Sequence, residues 1–287
     1  MRMDALLAGM AAAVSMAQPA AWLVPGPPLA REVAPREAWR SSARDAKWRD
    51  GKYRLHNNLW GTSNQELAVG RGVTMWAESH RRWGILPRYP EDLQHVMAYP
   101  GCWRGFHYAE ESAPGSGFPV KVREIRKLRA RWQMRVPETG RHWALWDIYL
   151  ARESSGWKGK GWCNLMIFQN WRDPTGWIPN GLVNPGSFQP IDLGYHSAGA
   201  VKLRCRRTAA AWIEGPVITA ILDRPLPDAT FDLRELLRSL VRTGHVDGDW
   251  YLIGIEVGWE IHQAVDPLVT EFFAIDLDDE KALGRGG

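Results

Sequence analysis

The sequence has few cysteines and no long apolar run, and these two shortages exclude several classes of protein. Its 287 residues include only three cysteines, Cys102, Cys163 and Cys205, with no Cys-X-X-Cys spacing. An odd number without that spacing argues against a zinc site and against a dense disulfide framework. No apolar run approaches the roughly 20 residues that span a bilayer, so we predict no membrane helix in the body of the chain.

A strong excess of charge is missing as well. Lys and Arg total 36 against 32 for Asp and Glu, which gives a formal net charge of only +4. Composition therefore gives no indication of nucleic-acid binding. The absence of a Gly-X-Ser-X-Gly segment disfavours a hydrolase with a nucleophilic serine. A hydrophobic fraction of 45% and a charged fraction of 24% exclude a disordered or fibrous chain.

Tryptophan, in contrast, is abundant. The chain contains 17 Trp beside seven Tyr and seven Phe. Flat rings in a groove suit flat apolar ligands, of which sugar rings are the commonest. The alternative is a tryptophan-rich core between two sheets, and composition does not separate the two interpretations.

The N-terminal segment is compatible with two interpretations. Residues 5–17 form a short apolar run behind Arg2 that ends in Ser15-Met16-Ala17, a pattern typical of a secretory signal peptide cleaved near Ala17. The negative charge of Asp4 is unusual in the basic start of a signal peptide, so a frayed amphipathic segment is the alternative interpretation. Residues 18–37 are rich in Pro and Ala and indicate an extended linker. We expect the folded domain over residues 38–278 and a tail over residues 279–287.

Short alternating segments dominate the body of the chain and predict strands. They are separated by Gly, Pro, Asn and Asp turns, and they cover Tyr53–Trp60, Leu128–Val136, Trp143–Leu150, Trp162–Gln169 and Tyr251–His262. Only Asp232–Arg242 has apolar residues at helical spacing, with a capping residue at its start and Gly244 after its end. We therefore predict an all-β fold, a two-sheet antiparallel jelly-roll sandwich with one short helix packed on the convex side.

One predicted strand has a basic face. In Leu128–Val136, Arg129, Arg131 and Arg135 alternate with apolar residues. Such a face is typical of the solvated outside of a sandwich, where it also discourages edge-to-edge aggregation. Binding of an acidic polymer is the alternative.

The strand Tyr251–His262 concentrates polar chemistry on one side. Period-two alternation places Glu256, Gly258, Glu260 and His262 on one face, with Gly258 leaving space between the two carboxylates. Two carboxylates and an imidazole are costly inside a core and sensible in a cleft. A polar outer sheet face is the alternative interpretation.

Two further strands and one short segment supply matching side chains. Trp143, Leu145, Asp147 and Tyr149 share one face of their strand, and Trp162, Asn164, Met166, Phe168 and Asn170 share one face of theirs. Cys163 falls on the opposite face and is predicted to be a small core residue. Asn58 and Trp60 again place an amide and an indole two residues apart. Carboxylates, amides and rings together are what a polysaccharide groove requires.

Five short segments occur in a specific order: Asn58–Gly61 (NLWG), Val96–Pro100 (VMAYP), Trp146–Ile148 (WDI), Asn164–Phe168 (NLMIF) and Tyr251–Ile261 (YLIGIEVGWEI). In this order, and with the single helix before the last segment, they resemble glycoside hydrolase family 12, the concanavalin-like jelly-roll endoglucanases. The corresponding family segments are NLWG, VKSYP, Y-D-(I/L), E-I-M-I-W and Y-L-x-x-(V/I)-Q-x-G-x-E. The resemblance covers most of residues 50–276.

The resemblance implies roles for particular residues. Glu260 matches the general acid/base, and Asp147 matches the auxiliary carboxylate beside the nucleophile. Met166 matches a methionine close to the sugar, while Asn58 and Trp60 match groove residues. We also expect Phe168, Glu256 and His262 to contact substrate. The resemblance also implies an endo-β-1,4-glucanase that cleaves β-glucan in an open groove, without metal or organic cofactor. We expect the protein to be secreted or at the cell surface and to have no nucleic-acid partner. The sequence does not indicate the oligomeric state.

One departure from the family pattern affects the chemistry directly. The nucleophile position holds Asn164 where the family has Glu, and an amide has no anionic oxygen to attack an anomeric carbon. Phe168 in place of Trp and Glu256 in place of Gln are milder changes. Three explanations stay open. Asp147 or Glu256 acts as the second carboxylate, with inversion as one route; the chain is a β-glucan-binding protein that has lost its nucleophile; or the register of the strand at residues 161–170 is wrong.

Overall fold

The computed structural model describes residues 38–93, 95–107, 112–155, 163–176, 191–209 and 214–278. The predicted signal segment, linker and tail and residue Trp162 lie outside these ranges. Within them the strands are β1 (Trp39–Ser41), β2 (Lys47–Asp50), β3 (Tyr53–His56), β4 (Gly72–Ala77), β5 (Trp83–Arg88), β6 (Gly101–Gly105), β7 (Val120–Lys121), β8 (Leu128–Arg135), β9 (Arg141–Ala151), β10 (Cys163–Arg172), β11 (Ile191–Ala198), β12 (Val201–Ala209), β13 (Pro216–Ile221), β14 (Asp228–Asp232), β15 (Tyr251–Gln263) and β16 (Leu268–Leu277). The helices are α1 (Asn64–Ala68) and α2 (Leu233–Arg242), with a 3₁₀ turn at Val122–Glu124.

The described strands form two sheets, as predicted. The smaller sheet has the order β1-β4-β5-β16-β8-β14, and the larger one has the order β11-β12-β13-β10-β9-β15-β6-β3-β2, with β7 paired to β15. Every described pair is antiparallel except β10 with β13, which is parallel. Among the described residues, no helix has the length and apolar character needed to cross a membrane.

The core lies between the two sheets and contains much of the tryptophan. Alternation along each strand sends one set of side chains into it, including Leu165 and Ile167 of β10. The ring of Trp132 on β8 reaches across to Trp146 of β9 and Trp259 of β15, at centroid distances of 6.0 and 5.2 Å. The high tryptophan content is therefore explained in part by the core between the sheets. Cys163 lies fully buried in this core, as predicted.

Helix α2 begins where its sequence pattern predicts. The side chain of Asp232 accepts a hydrogen bond from the backbone N–H of Glu235 and caps the helix. The buried face of the helix, which consists of Leu233, Leu236, Leu237 and Leu240, joins the core cluster that also holds Leu203 and Cys205 of β12. The helix therefore packs on the core-facing side of the larger sheet, opposite the polar face described below.

The basic face of β8 is paired with acidic neighbours. Arg131 makes two hydrogen bonds to the carboxylate of Asp228 on β14, at 3.0 and 2.7 Å. Arg129 lies 3.7 Å from Asp232, and Arg135 lies 3.6 Å from Glu271 of β16. These pairs favour the solvated outer face over a surface for an acidic polymer.

Three local predictions differ from the structure. Strand β3 ends at His56 rather than Trp60, because the amide of Asn57 turns away to donate to the carbonyls of Ala43 and Val73. The segment Val96–Pro100, whose family counterpart VKSYP is a strand, contributes only an isolated bridge at Ala98, and β6 begins after it. A bulge between Phe168 and Asn170 brings Asn170 opposite Ala144, on the core-facing side.

Candidate functional site

The polar face of the larger sheet is built by three adjacent strands, β10, β9 and β15. Glu256 of β15 lies directly opposite Asp147 of β9, and Met166 of β10 lies opposite Asp147 on its other side. Glu260 lies opposite Trp143. These side chains alternate with residues of the inter-sheet core, so the sheet itself brings the predicted carboxylates to one surface.

Asp147 is nearly buried and sits at the centre of this surface. Only 5% of the residue is exposed. Burial, followed by the charge of Glu256, raises the pKa of Asp147 to about 7, although Tyr99 and Asn164 act in the opposite direction. Its carboxyl group therefore changes protonation near neutral pH, as a catalytic base requires.

Glu260 is the predicted carboxylate on this face with access to solvent. It is half-buried, unlike Asp147 and Glu256. Burial, with a further contribution from Asp147, raises the pKa of Glu260 to about 8. At pH 7 the group is therefore mostly protonated. A protonated carboxyl that substrate can reach is suited to donate a proton.

Glu256 is completely buried and held by two neighbours. Its exposed fraction is 0%. Its Oε2 atom accepts a hydrogen bond of 2.6 Å from the phenol of Tyr149 and lies 3.0 Å from Nε2 of His107. The ring of His107 stacks on Trp103 at a centroid distance of 4.5 Å. This packing leaves Glu256 without the access to solvent that a proton donor to substrate needs.

The space beside Gly258 is filled, contrary to the expectation that it separates two open carboxylates. Ring atoms of Tyr99 lie 2.5 to 3.0 Å from where a β-carbon on residue 258 would stand. Only glycine allows this approach. Burial raises the pKa of Tyr99 well above its usual value, and Asp147, Glu256 and Glu260 raise it further. A neutral phenol therefore lies among all three acidic residues.

Asn164 faces the same surface and contacts Asp147. Its Nδ2 atom donates a hydrogen bond of 2.8 Å to Oδ1 of Asp147. The residue is only 2% exposed, and its own Oδ1 atom has no hydrogen-bond partner among the described residues. A buried amide oxygen of this kind is costly unless a water molecule or a ligand donates to it.

The predicted contact residues differ in how they are placed. Met166 is half-buried beside Asp147, whereas Phe168 is buried in a cluster with Tyr99, Trp143, Leu145 and Ile221. His262 packs on Trp143 at a centroid distance of 4.5 Å, and its Nδ1 lies within hydrogen-bond distance of the carbonyl of Leu93. Burial, followed by Arg141, lowers the pKa of His262 to about 4, so the ring is neutral.

Asn58 and Trp60 lie in the loop after β3. The carbonyl of Asn58 accepts a hydrogen bond of 2.8 Å from the backbone N–H of Tyr99, which ties this loop to the segment beside the carboxylates. Trp60 is 61% exposed and does not belong to the core. Such a ring can stack on a sugar.

Three residues without a predicted role complete the surface. Tyr99 lies within the VMAYP segment. Alternation placed Tyr149 on the same strand face as Asp147, but its hydrogen bond to Glu256 joins two strands and was not predicted. His107 follows β6 without any pattern around it. Among the described residues, no three His, Cys, Asp or Glu side chains group so as to hold a metal ion.

Comparison with known proteins supports the fold. No family model matches the chain. Endoglucanase S from Pectobacterium parmentieri is 24% identical over 232 residues, which cover 77% of this chain and 81% of that protein. The family 12 xyloglucanase from Bacillus licheniformis superposes with a TM-score of 0.69 at 20% identity, covering 84% of this chain and 100% of that chain. A metagenome-derived glycoside hydrolase family 12 endoglucanase gives 0.67 at 21% identity, with 85% and 98% covered. The resemblance to family 12 is thus confirmed in the fold.

Proposed function

We propose that the protein hydrolyses β-glucan on the polar face of the larger sheet, as an endo-β-1,4-glucanase. The observation that carries the proposal is the placement of Glu260 and Asp147 on this face: Asp147 adds to the burial that raises the pKa of Glu260, and Glu256 adds to the burial that raises the pKa of Asp147. Neighbouring carboxyl groups with raised pKa values are typical of glycosidase sites. The endoglucanase and xyloglucanase neighbours support the substrate class.

In this mechanism Glu260 is the general acid. Its pKa of about 8 keeps the proton in place at neutral pH, and its partial exposure lets a glycosidic oxygen approach. As the bond from the anomeric carbon to that oxygen breaks, the Glu260 proton moves to the leaving oxygen. The electron pair of the bond leaves with the same oxygen.

Asp147 is the base that activates water. We assign inversion because it needs no covalent nucleophile, and the nucleophile position holds Asn164. Inverting enzymes hold their two carboxyl groups about 6.5–9.5 Å apart, which leaves room for a water molecule. Water attacks the anomeric carbon from the opposite side of the sugar and gives its proton to Asp147.

Asn164 then has a role that glutamate could not fill. Its side chain is one methylene shorter than glutamate, which leaves room for a water molecule. Nδ2 orients Asp147, while the unpartnered Oδ1 accepts a hydrogen bond from the attacking water. The product anomer is therefore inverted.

A second function is supported by the same hydrogen bond. Because Asn164 occupies Oδ1 of Asp147 and both residues are nearly buried, water has little access to the carboxylate. This favours a β-glucan-binding protein without turnover. Exposed Trp60 would contribute to binding in either case.

The experiment that separates the two functions measures reducing-sugar release from soluble β-glucan and affinity for the same polymer. Native protein and the Glu260→Gln variant are compared. We expect release by the native protein alone and binding by both. Binding without release by either protein would favour the second function, and absence of binding would reject both.

Because polymeric glucan lies outside cells, we also propose that the protein is secreted or displayed at the surface. Residues 1–17 are the predicted leader. Mass spectrometry of the mature protein from its source tests this, with cleavage near Ala17 as the expected result. An intact Met1 in exported protein would contradict it.

A further inference from the structure

Strand β12 carries a row of cations on the same face as the candidate site. Arg204 lies opposite Ile221 of β13, and Arg206 lies opposite Thr219. Ile221 belongs to the cluster of Phe168 and Trp143 on the polar side, whereas the intervening Cys205 belongs to the core. Lys202 continues the row by alternation.

The other end of the face has a second row of cations. On β2 and β3, Trp48 and Leu55 pair and contact the core, so the flanking Lys47, Arg49 and Arg54 project to the polar side. Six spacings of about 4.8 Å separate β3 from β12 in the larger sheet, a span of about 29 Å.

The charges between these rows have the opposite sign. Asp147, Glu256 and Glu260 lie on β9 and β15, midway between β3 and β12. A polymer that crosses the face therefore meets cations, then acidic groups, then cations. Anionic substituents on a sugar at the centre would be repelled by the acidic groups, while anionic substituents several sugars away would be attracted by the cations.

The β12 row differs from the basic face of β8. Each β8 arginine named above has an acidic partner. On β12 only Arg204 forms an ion pair, of 2.6 Å with Asp192, and Lys202 and Arg206 form none with the described residues. At the β12 end, Asp192 and Asp223 lie near three cations, Lys202, Arg204 and Arg206.

A binding surface also exists at the β12 end. Tyr195 lies opposite Arg204 and is 61% exposed. A shallow cavity of about 530 Å³ is lined there by Tyr195, Ser197 and Lys202, together with His196 and Asp223. An exposed ring beside cations can stack on a sugar while the cations bind its acidic substituent.

We propose that the substrate is an anionic β-glucan, neutral at the cleaved linkage and bearing carboxylate substituents on sugars bound toward the ends of the face. This inference rests on the proposed function. It names the class of glucan, which the fold alone leaves open.

The test compares dissociation constants for carboxymethyl cellulose and hydroxyethyl cellulose of similar chain length, by calorimetry in the Glu260→Gln background to prevent turnover. We expect tighter binding of carboxymethyl cellulose, weakening as salt rises. Lys202→Gln/Arg206→Gln should lower the ratio of the two affinities about fivefold. The matched control, Arg131→Gln/Arg135→Gln on β8, should leave the ratio unchanged.

The remaining outcomes overturn the inference in distinguishable ways. Equal binding of both celluloses, or an equal effect of the β8 control, would reject the anionic substrate and leave the proposed function intact. Binding of single-stranded DNA as tight as that of carboxymethyl cellulose would show that charge alone is recognised. Binding of neither cellulose would reject the proposed function itself. If the β12 variant fails to fold, the salt dependence of carboxymethyl cellulose binding by the Glu260→Gln protein still tests the inference, and binding that does not weaken with salt would reject it.

Discussion

Replacing Glu256 with glutamine should move the acid limb of the pH–activity profile to lower pH. The charge of Glu256 is one of the two causes that raise the pKa of Asp147 to about 7. The glutamine keeps the shape and can still accept the hydrogen bond from Tyr149. The ionised form of Asp147 then gains stability, so its pKa falls.

The size of the effect follows from the position of the two groups. Directly opposed side chains have β-carbons about 5 Å apart. Effective dielectric constants of about 20–80 then give an interaction of roughly 0.8–3 kcal/mol, which lowers the pKa of Asp147 by about 0.6 to 2. Hydrolysis needs Asp147 ionised and Glu260 protonated, so the native rate should be highest between their pKa values of about 7 and about 8. From these values, activity of the native protein at pH 5.5 should be about 20-fold below that at pH 7.5. If the pKa of Asp147 falls by about 1 in Glu256→Gln, this difference shrinks to about threefold.

The assay is kcat/KM on a soluble β-glucan between pH 4.5 and pH 9.5 in constant ionic strength. Glu271→Gln, which removes a carboxylate from β16 of the smaller sheet, is the matched control and should leave the profile in place. Circular dichroism confirms that both variants fold. An unshifted acid limb in folded Glu256→Gln would show that Asp147 is not the base.

Three other substitutions have defined outcomes. Glu260→Gln should lower kcat about 10²–10⁴-fold while the polymer still binds, and unchanged turnover would place the acid elsewhere. Asn164→Glu should slow hydrolysis because it fills the space of the attacking water; faster hydrolysis would instead favour a binding protein whose lost nucleophile has been restored. Asp232→Ala should lower the free energy of unfolding by about 1 kcal/mol in denaturant titrations because it removes the cap of α2, and no change would show that this hydrogen bond is without net value.

Alternation was sufficient to predict the central strands and the faces of their side chains. The buried sets of β9 and β15 match the predicted ones, because a half-buried strand must alternate once one face packs on a core. Helix α2 was predictable for a similar reason, since its leucines and its cap both lie within one local segment.

The errors arose where long-range contacts override local pattern. The bulge at Phe168–Asn170 forms as Gln169 turns inward, where its side chain binds the backbone carbonyl of Trp132 and the indole of Trp146. The residues near Gln169 in sequence do not indicate either partner. The insertion of Tyr99 over Gly258 likewise joins segments about 160 positions apart, so the glycine suggested empty space where a ring is packed.

The anomeric configuration of the first-formed product tests the pairing of Glu260 with Asp147 most directly. Native protein is added to a soluble β-1,4-glucan, and the new reducing end is followed by proton NMR before mutarotation. A single displacement by water held at Asn164 and activated by Asp147 gives the α-anomer first. Initial formation of the β-anomer would mean retention, and hence a covalent intermediate on a nucleophile other than Asn164.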